Sequence, residues 1–305
     1  MSQPEVRSAG WIELAGVERA LAELRGGDSL GSVRATTLNL VITCSCDEDA
    51  EATERVLEGI GGSRPLRAIV ISPSTGTPKA RVSSACWMGG GQQVCTERIT
   101  IRGPRAALPS AVVALLVADL PAFLWWQGEI PDADDPVLDE LVETATRVIV
   151  DSDLAGIDAV RRIEPRAAGL VDLGWVRTNP WREAIAALFD GARQRKALDH
   201  LVGIEVSGPP NQAALLAGWL RSRLGRQVGL DVSRAKRINR VKVLCGDETF
   251  MVERSGRNEH GEARGPGLAP RAVGLPAPSL VALLSGELDR LGAERPFEQA
   301  LGAAA

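Results

Sequence analysis

Leu120–Ser152 reads LPAFLWWQGEIPDADDPVLDELVETATRVIVDS, and the fold is decided here. A short apolar run ends in Trp125 and Trp126, a Gly/Pro/Asp loop follows, and a second apolar run closes on Asp151 and Ser152. Between the loop and the second run, helical spacing puts Val137, Leu138, Leu141, Val142 and Ala145 on one face and Asp139, Glu140 and Glu143 largely on the other. The pattern is strand, helix, strand, and a crossover helix of this kind leaves its two strands parallel in one sheet. The loop 128–136 then follows the carboxyl end of the first strand, the edge of an open α/β sheet where ligands bind. It carries Glu129, Asp132, Asp134 and Asp135 but no His, Lys or glycine-rich phosphate cradle, so it reads as a recognition surface before it reads as an active site.

The same unit recurs toward the amino terminus. Residues 36–44 (TTLNLVITC) are rich in β-branched side chains, residues 47–60 form a helix with an acidic first turn, and residues 66–72 are a second strand. Residues 79–88 and 92–102 flank Gly89, Gly90 and Gly91 as a hairpin. With Gly90 and Gly91 as its turn, Cys86 faces Cys95 at a separation a disulfide can span. Helices are expected over 11–25, with Leu14, Val17, Leu21 and Leu24 on one face, and over 104–118. Past Ser152, a linker at 164–169 precedes helices from Pro180 and Pro209, a strand at 201–206, a hairpin at 238–253 and a final helix over 279–291. Residues 255–270 are polar, Gly-rich and without periodicity, and read as a loop. The fold class is α/β with two domains: an amino-terminal mixed sheet flanked by helices over 1–165, and a smaller carboxy-terminal α/β domain over 166–305.

At 305 residues the chain is long enough for two cores. A net charge of −4 argues against a nucleic-acid partner, which needs a concentrated basic face. No apolar run is long enough for a membrane span, no secretory leader is visible, and the expected location is the cytoplasm. Five irregularly spaced cysteines do not make a secreted disulfide framework. With no Tyr and only His200 and His260, neither near another ligand or nucleophile, most imidazole chemistry is excluded.

Nothing in the remaining motifs builds a reaction centre. No GxGxxG or Walker loop opens a helix, so no nucleotide cofactor is expected. Cys44 and Cys46 with Cys86 and Cys95 lack a structural zinc spacing; buried or surface thiols are the plain reading, with Cys44–Cys46 or Cys86–Cys95 as a redox pair the sharper one. The carboxylates of 132–139 fit a solvated loop ahead of a helix. Trp125 and Trp126 point to opposite faces of a strand, so either both are structural or one is exposed as an interface anchor. The basic cluster from Arg221 to Arg240, including Arg234 and Arg237, is a solvated face or a docking surface for an acidic partner.

Five ordered segments carry a family resemblance: LPAFLWW at 120–126, DPVLDEL at 135–141, RVIVDS at 147–152, DLGWVRTNPWREAIAALFD at 172–190 and LLAGWLRSRLG at 215–225. The chain resembles the glucose-6-phosphate dehydrogenase assembly protein family, OpcA. That resemblance implies a non-enzymatic accessory protein of cyanobacteria and actinobacteria that binds glucose-6-phosphate dehydrogenase and promotes its assembly or allosteric activation in the oxidative pentose phosphate pathway. It also implies thioredoxin as a further partner through redox control. The alternative is a doubly wound enzyme or sensor binding a sugar phosphate or nucleotide. Partner-binding candidates are Trp125, Trp126, Glu129, Asp135, Arg234 and Arg237, and the candidate redox pair is Cys86 with Cys95.

Overall fold

The computed structural model describes residues 5–26, 36–45, 47–62, 64–89, 92–132, 134–256 and 259–304. They form two compact units interleaved along the chain: residues 1–150, 162–170 and 279–293 contribute to the first, and 151–161, 171–278 and 294–305 to the second.

In the first unit, β1 (Glu5–Glu13) and α1 (Val17–Gly26) precede β2 (Asn39–Thr43), α2 (Asp47–Gly61) and β3 (Arg67–Pro73). There follow β4 (Lys79–Gly89), β5 (Gln92–Gly103), α3 (Leu108–Val113), β6 (Ala122–Trp126), α4 (Pro136–Thr144) and β7 (Arg147–Val150). With β8 (Leu170–Asp172) they make an eight-stranded sheet in the order β1-β4-β5-β3-β2-β6-β7-β8. β3, β2, β6 and β7 are parallel, whereas β4 is antiparallel to both β1 and β5, so the sheet is mixed as expected. The four runs read as strands at 36–44, 66–72, 120–126 and 148–150 all lie in it.

The crossover helix α4 forms where its pattern places it. Asp135 caps it by accepting a hydrogen bond from the Leu138 backbone N–H at 2.9 Å, and Pro136 opens the first turn where a missing N–H costs nothing. Its apolar face, Val137, Leu138, Leu141 and Val142, is buried. Each such side chain contributes about 1.5–3 kcal/mol.

The second unit contains α5 (Ser152–Ala155), α6 (Ile157–Ile163), which runs on into the first unit's segment 162–170, α7 (Leu173–Arg177), α8 (Asn179–Leu188), α9 (Ala192–Ala197), β9 (Leu201–Gly208) and α10 (Pro210–Leu224). β10 (Gly229–Arg234), β11 (Arg240–Cys245), β12 (Glu248–Arg254), β13 (His260–Arg264) and β14 (Arg271–Gly274) complete a six-stranded sheet in the order β10-β9-β11-β12-β13-β14. β9 is parallel to β10 and antiparallel to β11. After it, α11 (Leu280–Glu287) belongs to the first unit and α12 (Arg295–Gly302) to the second. The return of α11 has a physical anchor: Glu287 accepts from Arg147 of β7 at 2.9 Å with both side chains almost fully buried. A methyl group at Gly218 of α10 would run into the backbone of Ala300 and Ala304, so α10 and α12 touch main chain to main chain.

Three local expectations are corrected. Trp11, read as the start of a helix, lies in β1 and pairs with Arg81 of β4; cross-strand pairing overrides the helical spacing, which holds only from Val17 onward. Residues 255–270, read as a loop, contain β13, whose alternating burial fits a strand held between β12 and β14. The helix over 104–118 is reduced to a 3₁₀ turn and the six residues of α3.

Candidate functional site

Each unit places a crevice at the carboxyl ends of parallel strands. In the first, the chain leaves β2 toward β3 on one side and enters β6 on the other, which makes the carboxyl ends of β2 and β6 a topological switch point. The cavity there, 160 Å³, is lined by Cys44, Ile71, Leu108, Trp126, Val137 and Leu141 together with polar Arg105 and Gln127. The side chains around it are tied to their neighbours. The Trp126 indole donates to the Glu129 carbonyl at 2.9 Å, the Gln127 amide donates to the Thr53 hydroxyl at 2.7 Å, and Arg105 grips the Asp135 carboxylate at 2.5 and 2.9 Å. The Arg105 hydrogen bonds hold the Asp135 carboxyl below its usual range.

Trp125 and Trp126 are 4% and 7% exposed, so neither is an exposed anchor. Both faces of β6 are covered, and the alternation that turns neighbouring side chains to opposite faces therefore buries both. Trp11, on the edge strand, is 41% exposed, with Arg81 and Arg102 over its ring. Glu129, Asp132 and Asp134 are exposed, whereas Asp135 is occupied with its cap and ion pair. Much of the basic cluster serves the fold: Arg221 donates to the carbonyls of Val228 and Ala303, and Arg226 to those of Leu198 and Asp199. Arg234 is exposed at the end of β10, and Arg237 donates to the Gly256 carbonyl at 3.0 Å. Cys86 and Cys95 face each other in the β4/β5 register and are joined by a disulfide, with Cα atoms 4.1 Å apart. The turn residues Gly90 and Gly91, and Cys46, lie outside the described residues.

The second unit holds a group that the spacing did not single out. Asp151 takes a bidentate hydrogen bond from Arg177, with both contacts at 2.8 Å, and Asp153 accepts from Gln212 at 2.5 Å. Asp172 is fully buried and receives the backbone N–H groups of Ser152 at 2.7 Å and Gly174 at 2.9 Å, capping α7. Burial pushes its carboxyl up to about 6 against these hydrogen bonds, and burial also raises Asp153. Beside this group opens a cavity of 380 Å³. Asp151, Asp153, Arg177 and Gln212 line it along with Lys236, Arg237 and Arg254, so two residues of the basic cluster, Lys236 and Arg237, and the acidic group line one cavity. Among the described residues, no cluster of three or more His, Cys, Asp or Glu is placed to hold a metal ion.

Two family models match consecutive stretches of the chain. Residues 58–167 match the glucose-6-phosphate dehydrogenase subunit N-terminal domain of the OpcA type, and residues 168–301 match the corresponding C-terminal domain. A relative from Nostoc punctiforme, named as an OxPP cycle protein OpcA, is 30% identical over 82% of this chain and 67% of its own length. The chain belongs to the OpcA family. OpcA proteins of Synechocystis and Synechococcus elongatus are 28% and 30% identical over 55% of this chain, and the matches span 39% and 41% of their lengths. Among solved structures, an aldose-aldose oxidoreductase from Caulobacter crescentus, complexed with glycerol, is 11% identical with a TM-score of 0.48, covering 88% of this chain and 94% of that one. A likeness at that level decides nothing about activity. The acidic group of this OpcA-family chain had one signal in the sequence: Asp151 and Asp172 each end an apolar run immediately before a helix, the place of a capping carboxylate.

Proposed function

We propose that this chain is a non-catalytic accessory subunit that binds glucose-6-phosphate dehydrogenase and promotes its assembly or allosteric activation. The observation that carries the reading is the pair of family models, both described as domains of a glucose-6-phosphate dehydrogenase subunit, which together account for residues 58–301. The first crevice supports it: at 160 Å³ it is about half the lower limit of roughly 300 Å³ for small-molecule sites. No histidine lines either cavity. An accessory subunit acts by binding one state of its partner more tightly than another. The groups suited to this are the exposed acidic loop with Glu129, the exposed Arg234 with the half-buried Arg237, and Trp11 at the sheet edge. The Cys86–Cys95 disulfide gives a dithiol reductant such as thioredoxin a bond to open within the β4/β5 hairpin.

The test is to purify the chain with the dehydrogenase of the same cell and measure co-elution together with the enzyme's apparent affinity for glucose 6-phosphate. Co-elution with a changed affinity or oligomeric state is expected. Independent elution with unchanged kinetics removes the assignment.

A further inference from the structure

We propose that β1 is a pairing edge for a second copy of this chain: β1 of one copy and β1 of the other run antiparallel about a two-fold axis and join the two eight-stranded sheets into one. Each sheet ends in two edge strands, β1 and β8 in the first and β10 and β14 in the second. β8 has three residues, all buried, β14 has four and β10 six. Short or covered edges of that kind resist further pairing. β1 is nine residues long, none of them buried, and contains neither Lys nor Pro. Among the described residues β4 is its ladder partner, so its outer edge offers main-chain donors and acceptors to another strand.

The bulge in β1 decides which side chains such a strand meets. Ser8 pairs with Ser83 and Trp11 with Arg81, so Ala9 and Gly10 together stand against Val82. The extra residue puts Val6, opposite Ala85, and Trp11, opposite Arg81, on one face of the sheet, because Ala85 and Arg81 are an even number of residues apart on β4. Val6 is 52% exposed and Trp11 41%, so one edge strand presents two large apolar side chains on the same face. Beside it lies an 820 Å³ groove, lined by Ala9 and Ile12 of β1 and by Arg19, Ala20 and Glu23 of α1, which leaves room for a neighbouring chain.

The strand is complementary to itself. With the two-fold axis between Ser8 and Ala9, Val6 of each copy lies against Trp11 of the other, a pair of aromatic and β-branched side chains formed twice. In that register Glu5 comes opposite Ile12 and Arg7 opposite Gly10, so no like charges face each other. An axis at Ala9 would set Glu5 against Glu13, and an axis at Arg7 would set the two arginines together; like charges directly opposite destabilise a strand pair. Apolar contact and charge thus favour the same partner, a second β1, in the same register.

Sedimentation of the full chain, without the dehydrogenase, tests the pairing and is independent of whether the two proteins associate. A reversible monomer–dimer equilibrium is expected. Val6→Lys and, separately, Trp11→Lys should each weaken it tenfold or more while circular dichroism and melting temperature stay as in the parent chain. The register has its own test in two further variants, Val6→Cys and Trp11→Cys, treated with diamide as a mild oxidant. Mixed together they should form a covalent dimer, which neither variant alone and not the parent chain should form. A chain that stays monomeric at submillimolar concentration overturns the proposal, as does a dimer that both folded Lys variants retain at parent strength. Cross-linking of either Cys variant alone as readily as of the mixture overturns the register. A monomer whose binding to the dehydrogenase falls with Val6→Lys overturns self-pairing and gives the edge to that partner instead.

Discussion

The two crevices occupy the same kind of position, at the carboxyl ends of parallel strands, and are furnished in opposite ways. That of the first unit is 160 Å³ in volume and lined largely by apolar side chains, among them Trp126, whose indole N–H is satisfied by the Glu129 carbonyl. That of the second is 380 Å³ and lined by charges of both signs, Asp151 and Asp153 together with Arg177, Lys236, Arg237 and Arg254. The same topological position can thus carry an apolar or a charged lining. What separates the two is whether the side chains that arrive there are mostly apolar, as Ile71, Leu108, Val137 and Leu141 are, or charged, as Asp151, Asp153, Arg177 and Lys236 are.

The contrast breaks most readily at Trp126. If the first crevice is core, Trp126→Ala should lower unfolding free energy by about 3–5 kcal/mol in chemical denaturation, the usual cost of deleting a buried aromatic. A loss under about 1 kcal/mol would show the crevice to be a pocket held open for something else.

The next effect is a pH dependence in the second unit. Asp172 has its folded-state pKa raised from the usual 3.8 to about 6, so its protonated form is favoured by folding. The stability it contributes is complete below about pH 4 and is lost as pH rises through about 6, a change of about 3 kcal/mol. Asp172→Asn keeps an acceptor for the Ser152 and Gly174 N–H groups and should remove that component. Denaturation curves at pH 4.5 and 7.5 will show it as a smaller difference between the two pH values in the variant. Equal differences in both proteins would place the pH sensitivity elsewhere.

Asp135→Ala should cost about 1 kcal/mol through loss of the α4 cap, with the partly exposed Arg105 pair adding little. Because Asp135 is held below its usual range, what the pair contributes is present above the unfolded carboxyl pKa and fades as pH falls. Comparing melting at pH 7 and pH 3 checks the direction. The smallest stability change, within about 0.5 kcal/mol, is expected for Arg234→Glu with Arg237→Glu. Its readout lies in the association rate with the dehydrogenase and in the salt dependence of that rate. Unchanged association at low salt would take the basic rim out of partner binding.

The strand, helix, strand units, the mixed first sheet and the facing of Cys86 by Cys95 were legible in the sequence, because alternation, helical spacing and turn residues act over a few neighbours. The burial of Trp125 and Trp126 was not. Period-two alternation tells which side chains share a face of β6, but only the packing above and below the sheet tells whether a face meets water. Trp11 shows the converse, since helical spacing runs through it while the partner that fixes its conformation, Arg81, stands seventy residues along the chain.

What the sequence determined by itself is therefore the set of local elements and most of their order, together with the membership of the OpcA family carried by segments such as DLGWVRTNPWREAIAALFD. Only the tertiary structure decided which charges meet. Asp153 finds Gln212 and Arg177, and Arg237 comes to line the same cavity as Asp151, across separations that no periodicity spans. The reason is physical: an apolar face follows from backbone geometry one turn at a time, whereas the worth of a charge depends on its distance to others and on the water removed around it, and both are set by the folded chain as a whole.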